Sequence, residues 1–63
     1  MTFNGQEYKR KRKEAGMTQE DVYLKTGIAA THVSRYEIGK QKPLRSTQIR
    51  LEDAINEANT FNS

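Results

Sequence analysis

Thr18, Gly27 and Gly39 set the frame of this chain. They punctuate TQEDVYLKTGIAATHVSRYEIG, a stretch that reads as two short helices joined by a tight turn. Thr18 offers a hydroxyl to the first free backbone N–H groups, and Asp21 three residues on completes a capping-box pattern. A helix is therefore predicted from here to about Lys25. Gly27 stands where the end of that helix needs a residue able to take positive φ, and Ile28 follows as an apolar plug. A second helix is predicted from about Ala29 to Ile38, closed by Gly39. At roughly 100° per residue, Val33, Tyr36 and Glu37 share one of its faces, while Thr31, Ser34, Arg35 and Ile38 point the opposite way. Such a rod, apolar inside and polar outside with one Arg, suits entry into a groove.

The rest of the chain reads as support. Asn4 is placed to cap a first helix, with Glu7 at its third position, and Gly16 stops it. Between them Lys9 to Lys13 form five consecutive bases, which at helical spacing must go all the way round. One or two of them can touch phosphate, and the others form a solvated face. Tyr8, Ala15, Met17 and Val22 are the expected core, with Phe3 beside them. After Gly39, Pro43 forbids a helix running straight through, so Lys40 to Arg45 is predicted as a basic loop. Ser46 or Thr47 then caps a fourth helix over about 47–58, with Leu51, Ala54, Ile55 and Ala58 on its inner face. Ile49 lies off that stripe, and Asn59 to Ser63 is too short for a full fifth helix.

Sixty-three residues allow one domain, 1–63, all-α, built of four or at most five helices. A chain of this size has a small core and is marginal unless its helices pack well or a partner helps. With no Cys and one His, a metal site, a cofactor and a disulfide are not expected. No apolar run reaches membrane length and the start lacks a signal-peptide core, so the protein is expected in the cytoplasm. The net charge is +3, and it is unevenly spread. All eleven Lys and Arg fall in residues 1–50 with five acids, whereas residues 51–63 hold three acids and no base. That polarity favours one end turned to phosphates and the other turned away.

The pattern T-Q-E-D-V-x-x-K-T-G-I-x-x-x-x-V-S-R-Y-E-x-G-K resembles the helix-turn-helix of the phage Cro/repressor (XRE-type) family. The likeness extends upstream through Arg12 and Ala15-Gly16-Met17 and downstream to Lys42-Pro43. It implies a lambda-repressor-like fold whose second motif helix, about 29–38, lies in the major groove of double-stranded DNA. It also implies a structural salt bridge between Arg12 and Glu37, and a Gln19 that touches the DNA backbone and braces the recognition helix. On this reading the DNA-binding set is Thr18, Gln19, Ala30, Thr31, His32, Ser34, Arg35, Lys40, Lys42 and Arg45. Arg35 is the natural guanine reader, Ala30 and the Thr31 methyl suit thymine methyl groups, Ser34 can meet base or phosphate, and His32 flanks them. The loop bases lie along the sugar-phosphate chain.

The chain departs from the family pattern in places. Tyr23 replaces a usual Ala where the two motif helices approach, and must swing outward or force them apart. Ala29 replaces the Ser or Thr that usually caps the recognition helix, so that helix start can fray or shift. Leu24 is apolar at a normally polar position, and Gln48 and Glu52 are polar where apolar residues are usual.

The resemblance implies a transcriptional regulator that blocks a promoter. The partner would be a pseudo-palindromic operator in a bacterial nucleoid or phage-infected cytoplasm. Two copies, weakly associated through residues 44–63 with Ile49 and Phe61 and strengthened on DNA, would occupy its half-sites. The alternative is a protein-interaction module of the same fold, an antirepressor or antitoxin, using the apolar Tyr23, Leu24 and Ile38. An enzyme is not expected, since no nucleophile–base set or glycine-rich phosphate loop is present.

Overall fold

The computed structural model describes residues 3–62, and of residues 61 and 62 only the backbone. Helix α1 spans Gly5–Glu14 and begins where the Asn4 side chain accepts the Glu7 N–H at 3.0 Å. Helix α2 spans Gln19–Thr26 and opens on a complete capping box. Thr18 Oγ1 accepts the Asp21 N–H at 3.0 Å, and Asp21 Oδ2 accepts the Thr18 N–H at 2.8 Å. These hydrogen bonds from Thr18, backbone first, hold the Asp21 carboxyl below the usual carboxylate range. Helix α2 ends at Gly27, whose N–H donates to the Tyr23 carbonyl at 2.8 Å and whose φ of 78° turns the chain out of the helix.

Helix α3 spans Ala30–Ile38, one residue later than the sequence indicates, because Ala29 takes the N-cap position, though with no side-chain hydrogen bond to the first turn. Its far end closes tightly. The N–H of Gly39 donates to the Tyr36 carbonyl at 3.3 Å and that of Lys40 to the Arg35 carbonyl at 3.0 Å.

Helix α4 spans Arg45–Asn62, and here the expected 47–58 is corrected at both ends. Leu44, directly after Pro43, supplies the first helical carbonyl, accepting the Gln48 N–H at 2.8 Å. Ser46 and Thr47 therefore sit inside the first turn and not at the cap, and Arg45 belongs to the helix and not to the loop. At the other end Thr60 Oγ1 donates to the Asn56 carbonyl at 3.0 Å, so its hydroxyl bonds within the helix. Residues 59–62 continue α4, and the described residues form four helices.

The core gathers Tyr8, Ala15, Met17, Val22, Val33, Tyr36, Leu51, Ala54, Ile55 and Ala58, with Phe3 and Ile28 packed against it. Leu51, Val22 and Val33 are the largest side chains wholly removed from water. The Phe3 ring lies 5.8 Å from that of Tyr8. The Tyr8 hydroxyl donates to the Leu51 carbonyl at 3.1 Å, tying α1 to α4, and burial pushes its phenol well above the ordinary tyrosine range. Tyr23 swings outward, as its bulk requires, and stays 43 % exposed. Gln48 is half-buried and Glu52 is exposed, so the polar departures on α4 lie at the core's edge.

Candidate nucleic-acid interface

Glu37 organises the site. It is buried in the last turn of α3 and would be costly there without partners. Arg12 reaches it from α1 in a two-pronged pair, Nε to Oε2 at 2.7 Å and Nη2 to Oε1 at 3.1 Å. Arg12 Nη1 also donates to the Met17 carbonyl at 2.8 Å, fixing the turn that leads into α2. Gln19 Nε2 donates to Glu37 Oε1 at 3.1 Å. Three helices are thus pinned at one carboxylate, and the structure brings Arg12, Gln19 and Glu37 together.

Gly5 completes that seam, a role not read from the sequence. A Cβ there would run into the carbonyl of Tyr36 and come within 2.6 Å of the carbonyl of Glu37. The start of α1 therefore lies directly on the closing turn of α3. A glycine just inside a helix start, where almost any other residue forms helix better, is the signal that could have marked it.

Opposite Glu37, α3 turns outward. Thr31, His32 and Arg35 are exposed, and Ile38 is 60 % exposed. Ala30 and Ser34, read as facing DNA, are half-buried along the flank nearer Glu37. Arg35 makes no ion pair among the described residues, and neither do Lys40, Lys42 and Arg45. The exposed Lys40 and Lys42 follow directly on α3, and Arg45 opens α4. Because Gln19 is fastened to the last turn of α3, the first turn of α2 and the basic loop meet at that same end. Thr18 is exposed, with its oxygen engaged in the capping box.

A helix, a turn on a left-handed glycine, and a second helix held at its far end by a buried carboxylate make one recognisable arrangement. A family model described as "Helix-turn-helix" matches residues 9–58. The chain belongs to the XRE-type helix-turn-helix family. No curated protein and no solved structure matches it.

As a helix-turn-helix domain of this type, the chain is a binder of double-stranded DNA. No helix among the described residues is long and apolar enough to cross a membrane. Nor do three His, Cys, Asp or Glu side chains gather there in a way that could hold a metal ion.

Proposed function

We propose that this domain is a sequence-specific transcription regulator of the phage Cro/repressor kind, with α3 laid in the major groove. The observation that carries the reading is the exposed Arg35, without an ion pair among the described residues, on the outer face of a helix whose inner face is buried. Arg can bond guanine O6 and N7 together, the commonest specific contact in that groove. Thr31, one turn earlier, offers its methyl to thymine, Ala30 and Ser34 serve the near flank, and His32 the far one. Thr18 and Gln19 at the start of α2, with Lys40, Lys42 and Arg45, hold phosphates and set register. The role is binding without catalysis, in the cytoplasm or nucleoid of the host cell.

One domain spans a half-site, so two copies occupy a pseudo-palindrome about 34 Å from centre to centre. Weak self-association through residues 44–63 is supported by Leu44 and Ile49, 76 % and 47 % exposed. The Phe61 side chain, assigned a part in this contact from the sequence, lies outside the described residues. Selection of bound sites from random duplex at fixed, stated salt tests the whole reading. A palindromic consensus, bound cooperatively compared with a single half-site, is expected. The absence of any consensus overturns sequence specificity, and equal affinity per half-site overturns the paired binding.

A second reading, protein capture by the same fold, is favoured by Leu24, which is 72 % exposed. Failure to bind random duplex even at low salt would select it.

A further inference from the structure

The five consecutive bases of α1 are not equivalent once folded. Arg12 is buried against Glu37. Arg10 lies 2.9 Å from Glu14 and 3.4 Å from Glu7, and Lys11 lies 3.9 Å from Glu7, so acids of their own helix offset both charges. Lys9 and Lys13, one turn apart and exposed, make no ion pair among the described residues.

Their direction follows from helix geometry and two fixed contacts. The Cβ position of Gly5 and the side chain of Arg12 both aim at the last turn of α3. Lys9 projects within about 50° of that direction and Lys13 within about 90°, on the same side. The opposite flank faces α4: the Tyr8 hydroxyl reaches Leu51 there, and Glu7 and Lys11 line a groove against Gln48 and Glu52. On the flank of α1 turned away from α4, Gln6 lines a groove with Ile38 and Gly39, so that flank lies on the side where α3 exposes Ile38 and Arg35.

We propose that Lys9 and Lys13 form a second phosphate-binding ridge beside the outer face of α3, extending the duplex footprint past the helix-turn-helix itself. The ridge, which rests on the DNA-binding reading above, acts by charge alone. It strengthens binding to every sequence and leaves the preferred site unchanged.

The test compares two variants of equal net charge, Lys9→Gln/Lys13→Gln and Arg10→Gln/Lys11→Gln. Each is first checked by circular dichroism for an unchanged helical signal. The slope of log affinity against log salt is then measured on one duplex. Two lost phosphate contacts should flatten the slope of the first variant by about 1.8. The second variant should change it by less than half as much. Equal flattening in both would mean that only net charge matters, and an unchanged slope in the first would mean that the two lysines face solvent. Either result overturns the ridge while leaving the DNA-binding reading intact. Absence of duplex binding by the unaltered protein overturns both.

Discussion

The two ends of α3 are built differently. At its C-terminal end the Glu37 carboxylate accepts from Arg12 and Gln19, Gly39 and Lys40 close the last carbonyls, and the start of α1 presses on the same turn. At its N-terminal end Ala29 offers no side-chain cap, and Thr31 and His32 stand in solvent. One end fixes where the helix points. The other is left to meet whatever the helix is pointed at. In a chain with so small a core, rigidity is concentrated where it orients the reading face.

The largest effect expected from disturbing the held end is that of Glu37→Ala. Removing one partner of a buried pair leaves the Arg12 guanidinium desolvated without its counter-charge, a loss of about 3–5 kcal/mol. Domains of this length rarely have more than about 3–5 kcal/mol in total. Circular dichroism should therefore find the variant largely unfolded at 25 °C. A cooperative transition lowered by less than about 4 °C, corresponding to under about 1 kcal/mol, would mean that the pair contributes little.

Gly5→Ala comes next. Its methyl meets backbone carbonyl oxygens, which cannot rotate aside as a flexible side chain can, so α1 must shift off α3. The crowding should cost about 1–3 kcal/mol, set against a better helix former at that position. Chemical denaturation measures it, and a stabilised variant would show that the seam has slack.

Arg35→Ala separates orientation from reading. Arg35 is exposed and makes no ion pair among the described residues, so the melting temperature should not move. Affinity for the selected site should fall by about 1–3 kcal/mol, with choice relaxed at one G·C pair. Equal weakening on every sequence would make Arg35 a phosphate contact and remove the base-reading role.

What the sequence made legible was whatever is written locally. Asn4, Thr18 with Asp21, Gly27 and Gly39 mark helix ends within a few residues of themselves, and the structure places those ends within one residue. The buried trio Val33, Tyr36 and Glu37 was legible because helical periodicity needs no partner to be seen. Gly5 was not read as a contact, because its requirement comes from a carbonyl more than thirty residues away. The division of the basic run was equally hidden, since which of Lys9 to Lys13 is paired with a carboxylate depends on acids one turn away and on the fold that brings Glu37 to Arg12. The ends of α4 were misplaced for a different reason. Ser46 and Thr47 carry the chemistry of a cap, but Leu44 after Pro43 already offers the first carbonyl, so the helix starts before them.

The smallest expected effect addresses the free end of α3, and it runs toward greater stability. Ala29 already has the extended backbone of a helix cap, φ −56° and ψ 141°, and lacks only an acceptor atom. Its carbonyl serves the first turn, accepting the N–H groups of His32 at 2.9 Å and Val33 at 3.1 Å. A hydroxyl at this position would lie within reach of the N–H groups that open α3. Ala29→Ser should therefore stabilise the domain by about 1 kcal/mol. For a chain of this size that raises the melting temperature by about 4–8 °C. The same substitution into a helix start that was already satisfied would gain nothing. An unchanged melting curve would therefore mean that both ends of α3 are equally well held, and the contrast between them would fall.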